Sequence, residues 1–233
     1  MTEEKRIEVE DGEKVSLVHH SADADRWIFF CHGFGANRDF QQERSEKAAE
    51  NGFNAVRFDF RGNGDSDGDF IEQDLSSRIE DLKSVVRYFE PERAALFGSS
   101  FGGKVAFHAA LDLEVDAVIG KAPATYSEVM DKFRSVLEKK ETFSYIDGKP
   151  IDDRFFDDFD SYSFDDVTSG LEAPVLIFHG SEDTTVHPEH SFRAVKEFRT
   201  DVTLRKLPGE EHRYSDRAER KMMETMFDFL DRL

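Results

Sequence analysis

The sequence predicts a protein of the α/β class, in which a mostly parallel central sheet is covered by helices on both faces. Two observations lead to this prediction. Short runs of β-branched and aromatic residues, typical of strands buried on both faces, recur along the chain, and segments of helical periodicity separate them. Strands and helices that alternate in this way form parallel βαβ units. A length of 233 residues fits one large domain or two small ones.

The first half of the chain shows the alternation most clearly. Two short strands come first, joined at Asp11-Gly12, a dipeptide typical of hairpin turns. The following strands and helices alternate in the order Trp27–Cys31, helix 38–50, Ala55–Phe58, helix 75–89, Ala94–Phe97 and helix 104–111. This order predicts three successive strands of one parallel sheet, each followed by a helix.

The second half resumes the pattern after an interruption. A predicted strand at Ala117–Ile119 is separated from the next, Val175–Phe178, by a long stretch rich in Phe, Tyr and acidic residues. We interpret residues 124–170 as a lid inserted over the edge of the sheet, because the stretch is short for a core of its own. Residues 1–123 and 171–233 form the predicted core domain. The chain ends with helix 192–198, strand Val202–Leu204 and helix 216–233.

The charge is strongly negative: 50 Asp and Glu residues against 31 Lys and Arg residues give a net charge of -19. The 23 Phe residues argue against a disordered acidic chain, because they supply a core. An acidic surface repels phosphate, so neither a nucleic acid nor an anionic membrane is expected as a partner. The acidity is consistent with an ordinary solvated surface or with adaptation to a salt-rich cytoplasm, where salt screens the repulsion. We favour the second, halophilic, interpretation.

The single cysteine, Cys31, excludes an internal disulfide framework and leaves too few thiols for a zinc ribbon or an iron–sulfur site. We expect no cofactor and no metal. Acidic residues stand near the N-terminus, where a signal peptide needs an apolar stretch, and no apolar run approaches the ~20 residues of a membrane span. These features predict a cytoplasmic protein, either a monomer or a homodimer.

The strongest chemical signal is Gly98-Ser99-Ser100-Phe101-Gly102, which follows a predicted strand and precedes a predicted helix. It fits the G-x-S-x-G elbow, in which glycines two residues before and after a serine let a sharp turn close and expose the hydroxyl. Ser100 is the candidate nucleophile because it has glycines two residues before and after it, whereas Ser99 has phenylalanines at those positions.

Two other patterns in the sequence suggest binding sites of a different kind, one for a phosphate group and one for calcium. Gly98 to Lys104 spells G-x-x-x-x-G-K, nearly a phosphate-binding loop, but Val105 replaces the Ser or Thr that would bind magnesium. The acidic residues between 63 and 68, with Asp74 at the twelfth position, nearly match a calcium loop. A strand rather than a helix precedes that loop, so calcium is not expected.

A serine nucleophile needs a base and an orienting acid, which follow it in chain order Ser, Asp or Glu, His in elbow enzymes. Asp183 follows the predicted strand 175–178, and His212 follows the predicted strand 202–204. Both positions lie beyond the carboxyl ends of strands, where open parallel sheets hold their sites. The nearby His179 is expected to order the loop of Asp183.

The negative oxygen of a tetrahedral intermediate needs two backbone N–H donors. One should come from Phe101, directly after the nucleophile. The other should come from Phe34 in the loop His32-Gly33-Phe34-Gly35, where glycines allow close approach of the backbone. His32 itself is expected to be structural.

These motifs together resemble those of the α/β-hydrolases, across nearly the whole chain. The matching stretches are His32–Phe34, Asp59–Gly68, the elbow and His179–Asp183. Within that fold the chain is similar to serine hydrolases of the cinnamoyl and feruloyl esterase group and to related small acyl esterases. Many of these relatives have His and Gln on either side of the nucleophile, where this chain has serine and phenylalanine.

The resemblance implies that Ser100, Asp183 and His212 form the catalytic triad and that the amides of Phe34 and Phe101 form the oxyanion hole. We therefore expect a serine esterase that cleaves carboxylic esters of small or medium acyl groups, with a small-molecule ester as its partner. A peptidase or amidase of the same fold, or a non-catalytic ligand-binding protein, remains an alternative. The aromatic lid either caps the acyl pocket or only packs onto the body.

Overall fold

The structure, a computed structural model, describes residues 1–137, 140–146 and 148–233. Its strands are β1 (Thr2–Glu8), β2 (Lys14–His20), β3 (Arg26–Cys31), β4 (Asn54–Phe58), β5 (Arg93–Ser99), β6 (Ala117–Lys121), β7 (Phe143–Ile146), β8 (Lys149–Ile151), β9 (Val175–Gly180) and β10 (Val202–Leu207). Its α-helices are α1 (Gln42–Glu50), α2 (Leu75–Phe89), α3 (Phe101–Ala109), α4 (Asp131–Leu137), α5 (Asp153–Ser161), α6 (Phe164–Gly170), α7 (Pro188–Glu197) and α8 (Asp216–Leu230). Every helix within these described ranges is too short or too polar to span a bilayer.

Eight strands of the described chain form the central sheet in the order β1-β2-β4-β3-β5-β6-β9-β10. Strand β2 pairs antiparallel with both β1 and β4, and the other neighbours are parallel. The predicted mostly parallel α/β sheet is therefore confirmed. Because the carboxyl ends of parallel strands share one edge, the loops after β3, β5, β9 and β10 come together there.

The sheet separates two apolar cores, one on each face. Along β3 the side chains alternate, so that Phe29 and Cys31 pack on the side of α2 and α3, whereas Ile28 and Phe30 pack on the side of α1 and α8. All four are fully buried. The unbroken apolar run that predicts this strand thus reflects burial on both faces.

Four helices differ from the sequence pattern at their ends. Helix α7 begins at Pro188, before the predicted start at residue 192, and α8 ends at Leu230, before the predicted end at residue 233. The helix predicted from residue 104 begins at Phe101, because the elbow leads directly into it and its first glycines pack closely against the neighbouring backbone. The helix predicted over 38–50 starts as a 3-10 turn, Arg38–Gln41, and becomes α-helical at Gln42. Tight first turns of this kind are common at helix ends.

Residues 124–170, called the insert below, contain α4, the β7–β8 hairpin, α5 and α6. Helix α5 buries Phe155, Phe156 and Phe159 in the same core as α2 and α3. The aromatic residues of α5 therefore pack the insert onto the body of the molecule, which was one of the two roles expected from the sequence.

Candidate active site

The turn between β5 and α3 holds Ser100 in a strained conformation. Its φ of 54° and ψ of -118° are rarely adopted by a residue with a side chain. Glycines make the turn possible, because a Cβ on Gly98 would overlap the backbone of Gly102. The N–H of Ser100 donates to Lys121 O (2.8 Å), and its C=O accepts from the N–H of Ala124 (3.0 Å). The elbow is therefore fixed against the end of β6, at the carboxyl edge of the sheet.

Asp183 lies in the loop after β9 with its side chain buried. Its Oδ1 accepts hydrogen bonds from the N–H groups of Thr185 (2.8 Å) and Val186 (3.0 Å), and its Oδ2 lies 3.3 Å from His179 Nε2. Burial alone would raise the pKa of Asp183, but hydrogen bonds from His179 and His212 outweigh burial and hold the pKa well below its usual range. Asp183 is therefore an ionised acceptor at neutral pH.

His212 lies in the loop after β10, with 23% of its side chain exposed. Its Nδ1 donates a hydrogen bond to Asp183 Oδ2 at 2.7 Å. The two loops approach closely because residue 180 is glycine: a Cβ on Gly180 would overlap the carbonyl groups of Glu210 and Glu211. Since the carboxylate can only accept, the proton is on Nδ1, and Nε2 is left as the basic nitrogen of the ring.

The loop after β3 lies beside Ser100. A Cβ on Gly33 would be 3.7 Å from the Cβ of Ser100, which brings the backbone around Phe34 next to the elbow. Phe101 is the first residue of α3, and N–H groups in the first turn of a helix have no acceptor within the helix. The residues predicted to supply the two oxyanion donors thus both lie in segments that adjoin Ser100. Their rings also touch, with centroids 5.2 Å apart.

Two other histidines near the site use their ring nitrogens in structural hydrogen bonds. His32 Nδ1 donates to Gly33 O (2.8 Å), and its Nε2 accepts from the N–H of Phe60 (3.2 Å). Burial lowers the pKa of His32 to about 3, so this ring is neutral. His179 Nε2 donates to Val186 O (2.9 Å), across the loop that carries the acid. These contacts agree with the structural roles expected for both residues.

Aromatic rings surround the loop after β3. Phe34 contacts Phe70, Phe101 and Phe155, with centroid separations of 5.2, 5.2 and 5.3 Å. The fully buried guanidinium of Arg78 lies 5.1–5.8 Å from the rings of Phe34, Phe70 and Phe101. Burial lowers the pKa of Arg78 to about 10, so it keeps its charge at neutral pH. This cluster joins the core, the loop after β3 and the insert.

Polar contacts fasten the insert to the core at two further places. Lys149 Nζ, on β8, donates to Gly35 O (2.7 Å) and to Asn63 Oδ1 (2.8 Å). The carboxylate of Asp158, on α5, accepts from the first two N–H groups of α2 at 2.8 and 3.0 Å. Neither contact can be predicted from the sequence, because single charged residues in a polar stretch carry no signal for a specific partner.

The two competing motifs hold other contacts in the structure. Lys104, the lysine of the phosphate-loop pattern, is buried and donates to Tyr162 O in the insert (2.7 Å). In the calcium-like stretch, Asp65 pairs with Arg38 (2.7 Å), and Arg38 also pairs with the buried Asp59 (2.9 Å). The lysine fastens the insert, and the carboxylates are neutralised by arginine.

The strand order, the crossing helices and the elbow after β5 are those of the α/β-hydrolase fold. The chain matches the prolyl oligopeptidase family (Peptidase S9) over residues 39–233 and belongs to that family. The match includes the loops of Ser100, Asp183 and His212, whereas the loop of Phe34 lies before it.

Individual relatives support the same fold. The palmitoyl-protein thioesterase ABHD10 of Bos taurus is 25% identical over 195 residues, a match that covers 76% of this chain and 63% of that protein. The mouse α/β-hydrolase domain-containing protein 10 superimposes with a TM-score of 0.86 at 19% identity over 99% of both chains. Est1E from Butyrivibrio proteoclasticus, solved with ferulic acid bound, gives a TM-score of 0.84 at 24% identity over 97% of both chains. The predicted membership of the α/β-hydrolases is therefore confirmed.

Proposed function

We propose that this protein is a serine esterase that cleaves carboxylic esters of small or medium acyl groups. The observation that carries the proposal is the hydrogen bond between His212 Nδ1 and Asp183 Oδ2, on the same edge of the sheet as the strained elbow of Ser100. An acid that orients a histidine, on the same edge of the sheet as a serine on a sharp turn, supports a triad in which the histidine activates the serine hydroxyl for acyl transfer.

The proposed reaction has two steps. His212 Nε2 takes the proton of Ser100 as Oγ attacks the ester carbonyl, and the N–H groups of Phe34 and Phe101 stabilise the oxyanion. The tetrahedral intermediate collapses, the C–O bond to the alcohol breaks, and the alcohol leaves with the proton from His212. Water then adds to the acyl-enzyme by the same route, returning the proton to Ser100 and releasing the acid.

The decisive experiment compares Ser100→Ala with Ser99→Ala. We expect Ser100→Ala to lose turnover of a p-nitrophenyl ester and labelling by a fluorophosphonate probe, because both need the nucleophilic hydroxyl. Ser99→Ala removes the neighbouring hydroxyl and should keep both activities. Turnover by Ser100→Ala at the wild-type rate would refute the assignment, and failure of the wild type to react with the probe would favour a non-catalytic binding protein.

A peptidase or amidase is the second candidate, and membership of the prolyl oligopeptidase family favours it. The same triad cleaves amides and esters, and amides are the harder substrates because resonance stabilises the amide carbonyl and an amine is a poorer leaving group than an alcohol. Parallel assays with an acyl p-nitrophenyl ester and an aminoacyl p-nitroanilide separate the two. Turnover of the anilide that equals or exceeds that of the ester would replace the esterase proposal.

The acyl group is the next unknown in the proposal. The rings of Phe70, Phe101 and Phe155 pack against Phe34 beside the loop after β3, and this packing supports the proposal of small or medium acyl chains. A library of p-nitrophenyl esters of increasing chain length tests this directly. Hydroxycinnamoyl esters and acyl thioesters belong in the same panel, because Est1E was solved with ferulic acid and ABHD10 is a thioesterase.

A further inference from the structure

Lys121, the last residue of β6, contacts both the candidate nucleophile and the candidate base. Its main-chain carbonyl accepts the N–H of Ser100 at 2.8 Å. Its ammonium Nζ donates to the main-chain carbonyl of His212 at 2.9 Å. A single residue thus joins the elbow after β5 to the histidine loop after β10, although the two segments are far apart in the chain.

The backbone of Lys121 is held firmly enough to act as a fixed reference. It pairs in the sheet with Ser99 of β5 on one side and with Phe178 of β9 on the other. The next residue, Ala122, is buried and has a left-handed φ of 45°, and its N–H donates to Phe178 O at 2.8 Å. Such a conformation persists only where surrounding contacts fix it.

The ammonium lies in a mostly buried environment, and the residue is 7% exposed. It lies 3.8 Å from the ring centroid of Tyr214 and 3.8 Å from Glu219 Oε1. Glu219 is already paired with Arg44 through two hydrogen bonds, of 2.6 and 3.1 Å. The His212 carbonyl is therefore the closest hydrogen-bond acceptor that the structure gives the ammonium, and the bond is charge-assisted.

We propose that Lys121 is a positioning residue that holds the loop of His212 in register with the elbow of Ser100. This inference rests on the proposed function, since it concerns the geometry of the same triad. Lys121 touches main-chain atoms of the triad and acts through His212. Its loss should slow proton transfer from Ser100 and leave substrate binding unchanged.

The main test uses Lys121→Met, which keeps an unbranched apolar side chain one atom shorter and removes the charged donor. We expect kcat to fall about 10–100-fold with KM unchanged, because a displacement of about 1 Å in a catalytic group has effects of this size. Lys121→Arg, which keeps a charged donor, should recover part of kcat. Lys83→Met is the matched control, because Lys83 is similarly buried, at 8% exposure, and pairs with Glu80 and Asp112 away from the site.

A pH profile gives a readout that a purely structural lysine would not change. Burial lowers the pKa of Lys121 to about 8, Glu219 and Asp183 raise it, and Arg44 lowers it. The charged and titratable groups around it are Glu219 and Tyr214, Arg44, Asp183, Glu210 and His212. We expect wild-type kcat to fall above about pH 8 towards the level of Lys121→Met, and that variant should lack the fall.

Lys104 needs a separate comparison, because burial lowers its pKa to about 8 as well. The alkaline fall should persist in Lys104→Met. If Lys121→Met does not fold, the pH profiles of the wild type and of Lys104→Met decide. The proposal is overturned if kcat of the wild type does not fall above about pH 8, or if this fall is absent from Lys104→Met.

The outcomes separate this inference from the proposed function. If the wild type neither turns over esters nor reacts with a fluorophosphonate, the proposed function fails and the positioning role fails with it. If the wild type is active and Ser100→Ala is inactive, but folded Lys121→Met keeps wild-type kcat and the wild-type pH profile, only the role of Lys121 is refuted. A matched thermal melt of every variant establishes which are folded.

Discussion

Asp183 shows, at the scale of one residue, how a buried carboxylate stays ionised. Burial opposes its charge, yet the histidines and the backbone N–H groups around it more than compensate. Because its pKa is lower in the folded than in the unfolded protein, Asp183 stabilises the fold fully above about pH 4 and loses this contribution as the pH falls further. The acceptor that orients His212 is therefore charged throughout the neutral range.

Replacement of Asp183 by asparagine tests this orienting role. Asp183→Asn should lower kcat on the order of 10⁴-fold, because an amide no longer fixes the proton on His212 Nδ1 or stabilises the imidazolium. Steady-state ester hydrolysis at neutral pH measures the effect. Glu182→Gln, a change in the neighbouring exposed acid, should leave kcat within a factor of two. Equal effects of the two changes would contradict the role of Asp183.

The insert shows, at the scale of elements, how a segment rich in aromatic and acidic residues can be fastened to the body of the molecule. Its helix α5 is anchored through buried phenylalanines and through Asp158 at the N-terminus of α2, where a carboxylate is favoured by the helix dipole. Its hairpin depends on Lys149, whose ammonium reaches the carbonyl of Gly35 next to Phe34. The hairpin is therefore coupled to the loop that carries one proposed oxyanion donor.

Removal of the contact between Lys149 and Gly35 should affect both the β7–β8 hairpin and the loop after β3. In Lys149→Met, we expect faster amide hydrogen exchange in residues 143–146 and 149–151 and about 10-fold lower kcat/KM, because the backbone at Phe34 is no longer held in place. Lys140→Met, which changes an exposed lysine of the same insert, is the control. Unchanged exchange together with unchanged kcat/KM would show that Lys149 does not couple the hairpin to the site.

Charge dominates at the scale of the whole molecule. A net charge of -19 destabilises the compact state through self-repulsion in dilute buffer, and dissolved salt screens that repulsion. Local ion pairs offset part of it, as where Asp59 and Asp65 share Arg38. Exposed pairs contribute little individually, so the sum over the surface controls the response to salt.

We therefore expect the melting temperature to rise between dilute buffer and molar KCl, as for a protein adapted to a salt-rich cytoplasm. Thermal unfolding followed by circular dichroism across a KCl series measures this. Sucrose is the control, because it stabilises folded proteins by exclusion from the surface and does not screen charge. A melting temperature that is constant or falls with KCl would contradict salt adaptation.

The sequence by itself determined the strands of the central sheet, the fold class and the elbow of Ser100. These features are local: a continuous apolar run marks a strand buried on both faces, and glycine spacing marks the turn. Asp183 and His212 could be selected because they follow successive strands, and the carboxyl ends of parallel strands share an edge. Their direct hydrogen bond required the close packing of two loops at Gly180.

Only the tertiary structure decided which carbonyl groups Lys121 and Lys149 bind. Lys121 meets a carbonyl 91 residues away, and Lys149 meets one 114 residues away. Such contacts depend on strand order and side-chain direction, which local periodicity does not encode. Lys121 ends an apolar strand of the central sheet and Lys149 begins the second strand of the β7–β8 hairpin, and neither position gives a sign of the partner. The partners become apparent only when the fold brings the distant loops together.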